Sequence, residues 1–85
     1  MITRPVVTLY GRPGCHLCTE ARAEIANLTA GLSEVELREI DIETDADLLA
    51  RYLERIPVVE VGGVTVSEQV FDPDAFARAM HTVGP

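Results

Sequence analysis

The sequence contains no lysine, few basic residues and no long apolar run. All seven of its cationic residues are arginines, which excludes a Schiff-base lysine and a phosphate-binding loop of the lysine-bearing type. Fourteen acidic residues give a formal net charge of −7, so we expect neither a nucleic acid nor an anionic membrane as a partner. No segment approaches the roughly 18 apolar residues of a membrane span, and none has the apolar core of a signal peptide. We therefore expect a cytoplasmic protein.

Cysteine is also scarce. Two cysteines in 85 residues are too few for the disulfide framework of a small secreted domain, which usually has four or more. In a reducing compartment, a cysteine pair is more often redox-active or metal-binding than structural. The length allows one domain, residues 1–85, and the 47% of apolar residues suits a globular core. The cysteine pair is therefore the first candidate for chemistry.

Six changes of hydrophobic periodicity, each marked by turn residues, divide the chain into strands and helices. The pattern predicts strands near 6–10, 35–42, 57–61 and 64–66, and helices that begin near 17, 44 and 73. The order is β-α-β-α-β-β-α, with Gly62-Gly63 as the turn of a hairpin. Strands joined through a helix are expected to be parallel, and the hairpin antiparallel. We therefore predict an α/β fold with one four-stranded mixed sheet and helices on both faces.

The apolar positions predict which side of each helix is buried. Helix by helix, they are Leu17, Ala21, Ile25, Leu28 and Leu32; Leu48, Leu49, Tyr52 and Leu53; and Phe76, Ala79, Met80 and Val83. Gly31 is the expected C′ residue of the first helix. Thr44 is the expected N-cap of the second helix and Asp72 that of the third, with Pro73 in its first position.

Two strand positions break the simple pattern. The apolar parity changes between Leu37 and Ile40, which predicts a bulge there or burial on both faces. Glu68 shares the parity of the valines that precede it, so it is expected to point inward from an edge strand. An inward charge at that place would protect the edge against aggregation.

Cys15 and Cys18 lie where the first strand turns into the first helix. Cys15 falls at or just before the first helical turn, where unpaired N–H groups and the helix dipole favour a thiolate. Arg12 adds a positive charge three residues upstream. Lowering a thiol pKa from about 8.5 to about 7 raises the thiolate fraction at neutral pH from about 3% to about half. Cys15 is therefore the predicted nucleophile. Cys18 lies one turn later, with an expected Cα–Cα distance of roughly 5–5.5 Å that suits a disulfide, and is the predicted resolving cysteine.

Other uses of the pair are weaker. A structural disulfide closing so short a loop would contribute only about 2 kcal/mol. A zinc site needs four ligands, and only His16 and His81 remain beside the two thiols. His16 lies between the cysteines and would have difficulty reaching the same metal ion. An iron–sulfur cluster bridged between two chains stays open as an alternative.

Two segments carry a family resemblance: Tyr10-Gly-Arg-Pro-Gly-Cys15-His-Leu-Cys18 and, about forty residues later, Ile56-Pro57-Val58. Together they resemble the glutaredoxin family of the thioredoxin-fold superfamily. The resemblance covers nearly the whole chain and implies a thioredoxin-like fold and a thiol–disulfide oxidoreductase that acts as an electron carrier. It implies that Pro57 is cis and lies beside the active-site disulfide. It further implies that the Ile56 backbone pairs with the substrate's cysteine segment and that Arg12 binds a carboxylate.

The sequence departs from the glutaredoxin pattern in two places. The segment before the last helix, Gln69-Val-Phe-Asp-Pro73, lacks the usual Gly-Gly followed by an acidic residue, and His-Leu replaces the common Pro-Tyr between the cysteines. We therefore expect the electron donor to be glutathione, another low-molecular-weight thiol or a redoxin reductase. We expect a disulfide in a protein or a small molecule as substrate, no bound cofactor and a monomer. The alternative is a non-catalytic binding or iron–sulfur-carrying module.

Overall fold

The computed structural model describes residues 5–32 and 34–83, the last two of them by their backbone alone. The elements are β1 (Val6–Gly11), α1 (His16–Thr29), β2 (Glu36–Asp41), a 3₁₀ helix (Ile42–Thr44), α2 (Ala46–Tyr52), β3 (Val58–Val61), β4 (Val64–Glu68) and α3 (Pro73–Val83). The predicted order, the four-stranded mixed sheet and the three helices are confirmed. In the described ranges, no helix combines the length and apolar content that crossing a membrane requires.

The sheet has the strand order β2-β1-β3-β4. β1 is parallel to β2 and antiparallel to β3, and β3 is antiparallel to β4. Gly62 and Gly63 form the predicted hairpin turn, with φ of 60° and 84°, as a two-residue turn with both residues left-handed requires. The parallel prediction holds for β1 and β2 but is wrong for β2 and β3. The helix lengths explain this: the 14 residues of α1 rise about 21 Å, enough to return along a strand, whereas the seven of α2 rise only about 10 Å.

Helices cover both faces of the sheet, as predicted. α1 and α3 cover one face, over a buried cluster of Val7, Leu9, Ala21, Ile25, Val59, Val61, Phe71 and Phe76. α2 lies on the other, over a cluster of Ile42, Tyr52 and Val58 with Tyr10, Leu48, Leu49 and Ile56 packed against it. Neighbouring residues of β3, such as Val58 and Val59, enter different clusters because side chains alternate along a strand.

The buried side of α1 is narrower than predicted. Its buried residues are Cys18, Ala21 and Ile25, spaced by three and four positions along one line. Leu17, Leu28 and Leu32 are 40%, 45% and 52% exposed, so their predicted burial is wrong. Only the line of Cys18, Ala21 and Ile25 is buried, so Leu17 and Leu28 lie beside it toward solvent, and Leu32 lies beyond the end of α1 at Thr29.

Two strand predictions are also corrected. β1 and β2 pair without interruption from Val6↔Glu36 to Gly11↔Asp41, so there is no bulge between Leu37 and Ile40. Burial on both faces is wrong as well, because Leu37 is 41% exposed. The register shift lies instead between Val59 and Glu60 in the β3–β4 pair. It reverses the facing of the last residues of β4, so that Ser67 is buried and Glu68 is exposed.

Helix ends follow the local signals with one change. Asp45 rather than Thr44 is the N-cap of α2, and its side chain accepts from the N–H groups of Asp47 and Leu48. Thr44 belongs to the preceding 3₁₀ helix, and Leu53 follows α2 with its side chain exposed. Asp72 caps α3 by accepting from Ala75 N–H at 3.0 Å, and Pro73 begins that helix, both as predicted. The helix α1 ends just before Gly31, also as predicted; the Val83 side chain lies outside the described residues.

Candidate active site

Three segments meet at one end of the sheet. At the end of β1, Tyr10 pairs with Val58 of β3, and Gly11 pairs with Asp41 of β2. The loop that leaves β1 leads to Cys15, Asp41 leads into the 3₁₀ helix, and Val58 directly follows the Ile56–Pro57 bond. Sheet pairing therefore brings the cysteine loop, the 3₁₀ helix and the proline segment to the same edge, where α/β sheets present their chemistry.

Cys15 is the N-cap of α1. Its backbone is extended, with φ −87° and ψ 110°, and its Sγ accepts a hydrogen bond from Cys18 N–H at 3.2 Å. The Cys15 N–H donates to Arg12 O at 3.3 Å, which closes the turn before the helix. A sulfur in this position accepts a hydrogen bond from a backbone N–H and lies at the positive end of the dipole of a 14-residue helix. The predicted placement of Cys15 at the helix N-terminus is confirmed, and it is an arrangement that stabilises a thiolate.

Cys15 and Cys18 form a disulfide, with a Cα–Cα distance of 5.2 Å inside the predicted range. The two sulfurs differ in access, because Cys15 is half-buried whereas Cys18 is only 4% exposed. Cys18 packs against Gly11, where an added Cβ would lie 3.0 Å from its Sγ. Of the two cysteines, Cys15 is the one that a large substrate can reach.

Arg12 is paired rather than free. Its Nη2 lies 2.8 Å from Oε2 of Glu43, and both side chains are about 40% exposed. Glu43 comes from the 3₁₀ helix, whose N-cap Asp41 accepts the Glu43 N–H at 2.8 Å. The Arg12 charge is therefore shared with Glu43 before any substrate carboxylate arrives. The sequence analysis did not identify Glu43 as the partner of Arg12, because the two residues lie on different elements.

The histidine between the cysteines does not face the disulfide. His16 Nε2 pairs with Glu20 one turn along α1, and the His16 side chain is 86% exposed. This geometry makes His16 an exposed residue of the first turn of α1. His81 is exposed near the end of α3, on a different element from the cysteines.

The Ile56–Pro57 bond is cis, as the resemblance implies, and Pro57 is buried. The Ile56 N–H donates to Tyr52 O at 3.0 Å. A substrate segment that pairs with the Ile56 backbone would therefore have to bond to its carbonyl. Of the two backbone groups of Ile56, only the carbonyl oxygen is thus left for the predicted pairing with a substrate.

A pocket of about 270 Å³ opens beside Cys18 on the side of β2. Arg22 of α1 and Glu39 of β2 form an ion pair at 2.5 Å and line it together with Gly11, Arg12 and Asp41. The sequence analysis missed this ion pair, because Arg22 and Glu39 lie on different elements that come together only in the folded chain. Across the described parts of the chain, no three His, Cys, Asp or Glu side chains come together so as to hold a metal ion.

Comparison with known proteins agrees with this geometry. The sequence model of the glutaredoxin-like domain (DUF836) matches residues 6–81. A protein from Nitrosomonas europaea, solved by NMR in solution, is 28% identical over 92% of this chain and 93% of its own, with a TM-score of 0.77. A structural-genomics target protein from X. campestris is 32% identical over 93% of this chain and 99% of its own, with a TM-score of 0.70.

More distant structures show the fold. A mutant thioredoxin from Halobacterium salinarum is 20% identical, covers 98% of this chain with 77% of its own, and has a TM-score of 0.67. No curated protein matches the sequence. The fold is thioredoxin-like, and its cysteine pair is of the C-x-x-C type, which supports a redox function. The chain belongs to the glutaredoxin-like domain family.

Proposed function

We propose that this protein is a thiol–disulfide oxidoreductase in which Cys15 is the nucleophile and Cys18 the resolving cysteine. The observation that carries the proposal is the asymmetry of the pair. The accessible Cys15 is the N-cap of α1 and accepts the Cys18 N–H, whereas Cys18 is buried one turn further on. A low-pKa, accessible thiol beside a protected second thiol is the arrangement that disulfide exchange requires.

The reaction has two exchange steps. The Cys15 thiolate attacks one sulfur of the substrate disulfide, forms a mixed disulfide and releases the other sulfur as a thiolate. Cys18 then loses its proton to solvent and attacks the Cys15 Sγ, which releases the second substrate thiolate and leaves the Cys15–Cys18 disulfide. The substrate gains two electrons, and its thiolates take two protons from solvent. A donor dithiol or two thiols return the protein to its reduced form.

We further propose that the Ile56 carbonyl and Pro57 contact the substrate beside Cys15 and that Arg12 attracts a substrate carboxylate. A bidentate guanidinium suits a carboxylate, although Glu43 competes for it. The substrate is a disulfide in a protein or a small molecule, and the donor is glutathione, another low-molecular-weight thiol or a redoxin reductase. We propose that the protein is a monomer. We also propose a cytoplasmic location, without a nucleic acid or membrane partner.

The test is the alkylation rate of the reduced protein against pH, with mass spectrometry locating the label. A Cys15 thiol pKa well below about 8.5 is expected. Cys15→Ser should abolish disulfide reduction, and Cys18→Ser should accumulate mixed disulfides. Two equally slow thiols that titrate near or above 8.5 would contradict the proposal and support a non-catalytic binding or iron–sulfur-carrying module instead. Full activity of Cys18→Ser on protein disulfides would contradict the two-cysteine mechanism.

A further inference from the structure

Gln69 has a backbone conformation that its residue type disfavours. It follows β4 and has φ +61°, the left-handed region, and of the described residues it is the one non-glycine with a positive φ. Outside glycine, asparagine and aspartate, such a conformation is uncommon and persists where surrounding contacts enforce it. Its position matters, because β4 pairs with β3 directly after the Ile56–Pro57 bond, with Glu68 opposite Val58.

The contacts of Gln69 all reach the segment before β3. Its backbone N–H lies 2.9 Å from both Arg55 O and Pro57 O, the carbonyls on either side of Ile56. Its side-chain Nε2 donates to Glu54 O at 3.1 Å. Three backbone carbonyls around Ile56 are thus held by one residue, and the left-handed conformation brings its N–H and its amide to the same segment.

A neighbouring ion pair strengthens the same connection. Arg55 Nη2 lies 2.5 Å from Oε2 of Glu68, and the Arg55 guanidinium stands over the Tyr52 ring at 5.1 Å from its centre. The hydrogen bond from Arg55 lowers the pKa of Glu68 below its usual value. Tyr52 in turn accepts the Ile56 N–H through its carbonyl. The conformation of Ile56 is therefore fixed from both sides.

We propose that Gln69 is a positioning residue for peptide substrates, fixing the Glu54–Pro57 segment so that the Ile56 carbonyl is oriented toward an extended peptide beside the Cys15 sulfur. This inference rests on the proposed function, since it assigns the substrate class of the same site. A disulfide within a peptide uses the oriented carbonyl. A small disulfide without a peptide backbone reacts at Cys15 and makes no use of it.

The test compares two disulfides with the same leaving group. One is an uncharged octapeptide with a central cysteine joined to thionitrobenzoate, and the other is 2-mercaptoethanol joined to thionitrobenzoate. Release of thionitrobenzoate is followed by absorbance in single turnovers of the reduced protein with substrate in excess. The half-saturating substrate concentration and the limiting rate serve as KM and kcat for each disulfide. The variant Gln69→Gly keeps the backbone N–H and adopts the left-handed φ without cost, but it loses the bond to Glu54 O.

For Gln69→Gly, we expect the peptide KM to rise roughly three- to tenfold, which is the effect of losing one ordering hydrogen bond. Its kcat, its KM for the small disulfide and the pKa of Cys15 should stay as in the wild type. Its urea midpoint should change little, since relief of backbone strain offsets the lost bond. The matched control is Val64→Gly at the far end of β4, where Val64 is 66% exposed; it should lower the urea midpoint and leave the peptide KM unchanged.

A wild-type peptide KM in Gln69→Gly would overturn the positioning role. So would a KM that rises for both disulfides together, because that would indicate a general disturbance of the site. If the wild-type protein reduces neither disulfide, the proposed function itself fails. The wild-type assay alone distinguishes this failure from a failure of the positioning role of Gln69.

Discussion

Gly11 is the place where one added carbon atom should disturb the site most. A Cβ on Gly11 would lie 3.0 Å from Sγ and 3.1 Å from Cβ of Cys18, closer than carbon and sulfur normally approach. Cys18 cannot rotate away, because it lies in the first turn of α1 and is joined to Cys15. Gly11 does not have a positive φ, so the close approach of Cys18 is what requires glycine here. The substitution Gly11→Ala must displace either β1 or the start of α1.

The size of the effect follows from two opposing terms. Overpacking by one methyl group costs about 1–3 kcal/mol. Replacing glycine by alanine returns about 0.4–1 kcal/mol by reducing the entropy of the unfolded chain. We therefore expect Gly11→Ala to lower the free energy of unfolding by about 1–2 kcal/mol, or Tm by roughly 5–15 °C in a domain of this size. The Cys18 thiol should also become more reactive in the reduced protein.

The matched control is Gly31→Ala. Gly31 has no positive φ, and no atom of the described residues lies within 4 Å of the place where its Cβ would be. Only the unfolded-state term applies there, so stability should rise by about 0.4–1 kcal/mol. Urea unfolding of the oxidised proteins, together with alkylation of the reduced ones, measures both effects. Equal stability of the two variants would refute the close packing of Cys18 on Gly11.

Two ion pairs near the site allow predictions of different kinds. Arg12→Gln should raise KM for a disulfide that carries a carboxylate, because the attracting charge is lost. Glu43→Gln should lower the same KM, because it releases Arg12. Both values come from steady-state kinetics, and a KM that does not fall in Glu43→Gln would show that Glu43 does not compete for Arg12. Arg55→Gln should return the lowered pKa of Glu68 to its usual value in an NMR titration, since the hydrogen bond from Arg55 is the main cause of the shift. A carboxylate with a lowered pKa stabilises the folded protein at a pH above its usual pKa, and this stability is lost as the pH falls through the lowered pKa. The variant should therefore lose less stability than the wild type on acidification. An unchanged Glu68 pKa would contradict this assignment.

The parts of the structure that sequence predicts are those governed by local rules. Capping chemistry placed Cys15 at the start of α1 and Asp72 at the start of α3, and both positions depend on a few neighbouring residues. The Gly62-Gly63 turn is equally local. The order of elements followed from changes in periodicity, and the parallel pairing of β1 and β2 from the helix that joins them.

The failures share a different cause. Leu17 and Leu28 fit the helical period, but which line of α1 is buried depends on the angle at which the helix crosses the sheet. The facing of Glu68 depends on a register shift in β3–β4, which no alternation of residue types within β4 reveals. Arg12 was identified as a charge near Cys15, whereas its partner Glu43 is set by the pairing of Gly11 with Asp41. Each missed feature is a contact between elements far apart in sequence.

Gln69 shows the same division at the site itself. Its residue type alone would not predict a left-handed backbone, since glycine and asparagine are the usual occupants. The bonds of its N–H to Arg55 O and Pro57 O supply what local preference does not. Conflict between local preference and the final structure is expected where a protein holds a functional segment in place. The strain at Gln69 is therefore best explained by its effect on Ile56, because a glycine at this position would satisfy the backbone more easily but would leave the Glu54 carbonyl without the side-chain donor.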